Sequence, residues 1–123
     1  MLTQLFRSNI IKLKTSDFDF SNGAVRIKNK RAIEQGGLVA FQMAWCHYCR
    51  DNTVVLNILA QQIGRTKAIM TLDGVDHPQV MDQLKARGLI NGFPTVYIVH
   101  KSGVLGKKYT GPRTVAGYKR AFA

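Results

Sequence analysis

The sequence is short of cysteine, of tryptophan and of acidic side chains, and it has no long apolar run. Two cysteines cannot build the several-bridge framework of a small secreted domain. Met1-Leu2-Thr3-Gln4-Leu5-Phe6-Arg7 is followed by polar residues before any extended apolar stretch. Neither a secretory signal nor a membrane span is visible, so the expected compartment is intracellular, the cytoplasm. No internal repeat and no low-complexity segment interrupts the chain, which excludes a solenoid and a compositionally disordered protein. Only seven Asp and Glu stand against eighteen Lys and Arg, leaving a formal charge of +11. A field of that sign attracts nucleic acid, acidic proteins and anionic membranes, but it says nothing about fold.

What is present fits one globular domain spanning residues 1–123, since 46% of the chain is apolar and 20% charged. Ile10-Ile11-Lys12-Leu13-Lys14 reads as a first strand, and a polar stretch around Ser21-Asn22-Gly23 follows. Lys28 to Gln35 is a short helix stopped by Gly36-Gly37. Leu38-Val39-Ala40-Phe41 is brief and wholly apolar, as a buried central strand should be. From Cys46 to Gln62 the apolar residues Val55, Leu56, Leu59 and Ile63 recur at helical steps, and Gly64 supplies the stop. Ala68 to Leu72 is another strand. Asp76-His77-Pro78 opens a helix in which Asp76 is the expected cap and Val80, Met81 and Leu84 form the apolar face, ended by Gly88. Thr95 to His100 and Val104 to Tyr109, joined at Ser102-Gly103, form a hairpin. A last helix is expected from Pro112 to Phe122. The order predicts an α/β fold: a central mixed sheet flanked by helices on both faces.

The two cysteines fall where the central strand gives way to the long helix. Cys-x-x-Cys in a first helical turn puts both side chains on one face, near the ~5.5 Å Cα separation that a disulfide prefers. Cys46 would sit beside backbone N–H groups that lack an intrahelical partner, at the favourable end of the helix dipole, so it is the expected nucleophile. Cys49, one turn inside, would be the resolving thiol. His47 as imidazolium would favour the Cys46 thiolate further and raise the oxidising power of a Cys46–Cys49 disulfide. The same spacing is also half a zinc site, but His47, His77 and His100 are not paired at ligand spacing, so no metal is expected. Trp45 could also be a generic core aromatic, though it stands directly before the pair.

Phe41-Gln42-Met43-Ala44-Trp45-Cys46-His47-Tyr48-Cys49-Arg50, with Gly92-Phe93-Pro94-Thr95 and Tyr109-Thr110-Gly111 downstream, resembles the thioredoxin and protein disulfide isomerase superfamily over nearly the whole chain. The resemblance implies a thioredoxin-like fold and a thiol–disulfide oxidoreductase. It implies Cys46 and Cys49 as catalytic residues, Trp45, His47 and Tyr48 as modulators, and Phe93, Pro94 and Thr95 as substrate-binding residues, Pro94 following a cis bond. No cofactor is implied beyond the redox-active Cys46–Cys49 disulfide. The implied partners are protein substrates carrying thiols or disulfides, and a reductase or oxidase that recycles the site.

Three departures from the family pattern bear on activity. Ala40 stands where members commonly hold a buried acid that assists proton transfer to the second cysteine. Val54 replaces the proline that bends the active-site helix, and His47-Tyr48 is an unusual pair between the cysteines. Ala40 and His47 lean the expectation towards an oxidase or isomerase, whereas an intracellular setting leans towards reduction, and Val54 implies a straighter helix. Arg26, Lys28, Lys30 and Arg31, with Lys101, Lys107 and Lys108 about the hairpin, read as solvated faces. The alternative is a binding module in which the cysteines are incidental and this basic face holds nucleic acid or an acidic protein partner.

Overall fold

The computed structural model describes residues 9–122. Its main sheet has five strands in the order β1 (Ile11–Lys12), β5 (Ala68–Asp73), β4 (Gly37–Gln42), β6 (Thr95–Val99) and β7 (Leu105–Lys108). β4 runs parallel to β5 and antiparallel to β6, so the sheet is mixed. β2 (Phe18–Asp19) and β3 (Arg26–Ile27) form a separate two-stranded ribbon. The described residues also hold four α-helices, α1 (Lys30–Gln35), α2 (His47–Ile63), α3 (Pro78–Ala86) and α4 (Val115–Ala121), and two short 3-10 turns at Thr15–Asp17 and Ser21–Gly23. No helix among them is long and apolar enough to cross a membrane.

Strand alternation explains the two cores. Leu38 and Ala40 of β4, Ile69 of β5 and Val96 of β6 point to one face, where Leu56, Leu59 and Ala60 of α2 and Tyr118 of α4 meet them. Val39, Phe41, Met70, Leu72, Tyr97 and Val99 point to the other, under Ala32 of α1 and Val80, Met81 and Leu84 of α3. Each fully buried Leu or Ile contributes on the order of 1.5–3 kcal/mol of transfer free energy. The central strands β4 and β5 therefore read as continuous apolar runs because helices cover both sides.

Several boundaries differ from the expectation. The first strand shrinks to Ile11–Lys12, and α1 begins at Lys30 because Asn29 caps it, its side chain accepting from Ala32 N–H. α3 is preceded by His77 without a side-chain cap bond, and Pro78 sits in its first turn; Asp76 is not the cap. α4 begins only at Val115, because the Thr114 side chain accepts from Gly117 N–H and leaves residues 112–114 as a loop. The hairpin turn is as expected, with Ser102 and Gly103 at φ of 87° and 85°.

Candidate functional site

The site is assembled where β4 ends and α2 begins. Cys46 is the N-cap of α2, with extended backbone, and its Sγ accepts a hydrogen bond from Cys49 N–H at 3.2 Å. A sulfur thus takes the capping position that Ser, Thr or Asp usually fills, and it meets one of the donors that the helix leaves unpaired. Both cysteines are free thiols. Cys46 keeps 7% of its surface and Cys49 2%, so both residues are buried, Cys46 the less completely.

Burial pushes the Cys49 thiol up to about 12, the hydrogen bond and charge of Cys46 add to the rise, and the Met43 backbone and Arg113 oppose it. At neutral pH a thiol with that value is ionised in about one part in 10⁵. No carboxylate is among the groups that shift it, and Ala40, fully buried, lies between Thr71 of β5 and Val96 of β6. The first turn is instead held by neutral groups. Gln42 Nε2 donates to Thr53 Oγ1 at 3.1 Å, and Thr53 Oγ1 donates to the Cys49 carbonyl at 3.0 Å.

The other candidates are placed as follows. Trp45 is 67% exposed, which rejects the core-aromatic reading, and its ring meets Phe93 edge-on at 6.4 Å between centroids. This contact joins the cysteine turn to the loop before β6. The Phe93–Pro94 peptide bond is cis. Thr95 is buried, and its hydroxyl donates to the Gly92 carbonyl at 2.6 Å, so the side chain braces the loop. His47 Nε2 lies 3.4 Å from Asp51 Oδ2, one helical turn on, with both side chains well exposed. Tyr48 is 62% exposed, with the Arg113 guanidinium 5.8 Å above its ring. Among the described residues, no group of three or more His, Cys, Asp or Glu is placed to hold a metal ion.

Four residues of the site were not expected. Arg113 had been assigned to a helix, yet as a loop residue it reaches both Tyr48 and the field at Cys49. Lys85 of α3 stands 5.8 Å from the Phe93 ring. Asn52 is buried three residues after Cys49; its Oδ1 accepts from the Tyr118 hydroxyl at 2.5 Å, and its Nδ2 has no partner. Burial raises the Tyr118 phenol to about 12, while the bond to Asn52 opposes the rise. Asn52 was detectable in principle as the one polar position on a stripe otherwise made of Cys49, Leu56, Leu59 and Ala60.

A family model described as thioredoxin matches residues 14–122. No curated protein matches the chain. Among solved structures, the Trx4 domain of ERdj5 superposes with a TM-score of 0.67 at 17% identity, with 94% of each chain covered. Chloroplastic thioredoxin z gives 0.64 at 17% identity, covering 91% of this chain and 89% of that one. The zinc-bound form of human ERp44 gives 0.68 at 15% identity over 91% of this chain, which spans only 30% of the length of that protein.

Proposed function

Because the chain belongs to the thioredoxin family, we propose that it is a thiol–disulfide oxidoreductase acting on protein disulfides, suited to isomerisation and oxidation more than to reduction. The observation that carries this is the contrast between its two sulfurs: Cys46 capped at a helix start, Cys49 buried and pushed up to about 12 with no acid beside it.

The Cys46 thiolate attacks one sulfur of a substrate disulfide, forming a Cys46–substrate bond and expelling a substrate thiolate. Full reduction then requires Cys49 to lose its proton and attack Cys46 Sγ, releasing the second substrate thiolate, which takes up the proton. Two electrons pass from the dithiol to the substrate. A high Cys49 value makes that second step slow, so the mixed disulfide persists. Another thiolate of the substrate can then displace Cys46 and leave a rearranged disulfide, with no net oxidation or reduction, whereas return of the freed thiolate only restores the original bond. The oxidised protein runs these steps backwards. A substrate thiolate attacks Cys46 Sγ and expels Cys49, which takes up a proton. The second substrate thiolate then closes the new disulfide by expelling the Cys46 thiolate, the capped leaving group that favours this direction. Phe93 and Pro94 serve as the surface against which the extended substrate lies, the Phe93 ring meeting Trp45 directly before Cys46. An oxidase or reductase partner resets the site.

Refolding of a scrambled disulfide protein and reduction of insulin disulfides, run with the wild type and with Cys46→Ser, test this. The expected result is clear refolding, weak insulin reduction, and loss of both in the variant. Equal activity of the two proteins would sink the proposal. A Cys46–Cys49 potential well below the cytosolic glutathione poise would defeat the oxidative part.

A further inference from the structure

Resting on the redox reading above, we propose that this site prefers protein segments in which the reacting cysteine is flanked by acidic residues. The occupant is an extended peptide segment whose carboxylates meet Lys85 on one side and Arg113 on the other.

The rim of the site is aromatic and cationic. Trp45 and Tyr48 leave most of their surface uncovered, at 67% and 62%. Rings that large, left exposed around a reactive sulfur, are typical anchors for a partner. Each belongs to a cluster that includes a cation: Trp45 touches Phe93, which lies under the Lys85 ammonium, and Tyr48 lies under the Arg113 guanidinium. The contributing segments are far apart in sequence, so the arrangement is a product of the fold and not of a local basic run.

The donors of these two cations are unspent. Arg26, Arg31, Lys67 and Arg87 donate to backbone carbonyls and so brace the protein itself. Lys85 and Arg113 make no hydrogen bond among the described residues. The one close pairing of a basic with an acidic side chain there is His47–Asp51, so the acid two residues after Cys49 is already engaged, and Asp82 on α3 does not pair with Lys85. A carboxylate arriving beside Cys46 would meet free N–H donors, in an overall field of +11. A peptide fits this rim better than a nucleic acid strand, because the cations occupy the faces of Tyr48 and Phe93 that bases would need for stacking.

The test is a set of disulfide-linked peptides that differ only in having Glu, Gln or Lys on both sides of the cysteine. Each is reacted with reduced wild-type protein in a single turnover, and each rate is divided by its rate with dithiothreitol to remove intrinsic reactivity. The protein's own dithiol supplies both electrons. The expected second-order rate with the Glu peptide exceeds that with the Lys peptide about tenfold at low salt, falling towards parity at high salt as screening sets in. Lys85→Glu and Arg113→Glu should each lower the Glu-to-Lys ratio about two- to fivefold, the size of one exposed charge contact. A ratio near one at low salt would overturn the preference while leaving the redox reading intact, as would a ratio that neither variant changes. If DNA bound and blocked exchange while the ratio stayed near one, the rim would be assigned to nucleic acid instead. Failure of every peptide to exchange would remove both the redox reading and the preference built on it.

Discussion

The rim of the site and its floor, only one helical turn apart, are built on opposite principles. At the rim, Trp45, His47 and Tyr48 are exposed, flanked by cations whose donors are free. At the floor, Cys49, Asn52, Ala40 and Tyr118 are buried, and the polar groups among them are neutral and scarce. Charge at the rim is screened and cheap to rearrange, so it can choose a substrate without costing stability. Charge at the floor would be expensive, so the floor holds protons tightly and slows any step that must release one. Choosing and resolving are thereby set by different residues, which single substitutions can separate.

The largest expected effect lies at the floor. Cys49→Ser removes the resolving sulfur, so Cys46–substrate adducts should accumulate to near stoichiometry in non-reducing gels while isomerisation of scrambled protein largely survives. If refolding vanished with Cys49, resolution would be essential and the contrast drawn here would fail. Next in size, Tyr118→Phe strips the hydroxyl from Asn52 Oδ1 and leaves that amide without a side-chain partner among the described residues, at about 1–3 kcal/mol in urea unfolding. Pairing it with Asn52→Leu should recover part of the loss, since removing both partners leaves nothing unsatisfied.

A third test uses alkaline pH. Cys49 and Tyr118 have folded values raised to about 12, above their ordinary values near 9 and 10. Their protonated forms therefore contribute stability that is fully present below pH 9 and is lost as pH climbs towards about 12. Urea midpoints should fall across that window, and less steeply in Cys49→Ala; equal slopes would show that the thiol titrates without constraint. The smallest stability effect belongs to the rim. Trp45→Ala should move the unfolding free energy by less than about 0.5 kcal/mol, because the ring is mostly in water, yet weaken KM for protein substrates several-fold.

Much of this was legible in the sequence. The long helix after Cys46, the central strand at Leu38–Phe41 and the hairpin at Ser102-Gly103 follow from periodicity and turn chemistry, and all stand in the structure. The ribbon of β2 and β3 was not visible, because strands of two residues carry no period. Asp76 failed as a cap because Pro78 fixes the first turn one residue later. The cysteine turn was read from local spacing, whereas Lys85, Arg113 and the Asn52–Tyr118 bond depend on segments brought together from across the chain. Arg113 was hidden by a boundary: once Thr114 is recognised as the cap, the residue before it becomes a loop side chain free to turn towards Tyr48.

The small ribbon has a consequence for crowded conditions. Val25 and Ile27 exchange backbone hydrogen bonds with Leu105 and Gly103, and Arg26 bridges to Val104, so the near end of β7 is already occupied. The far end carries Lys107 and Lys108, and at the opposite margin β1 offers only two residues. No margin of the sheet among the described residues presents a long, bare row of amides to a neighbouring molecule. If the protein acts on partly unfolded chains, as proposed above, it is thereby spared from serving as a template for their aggregation.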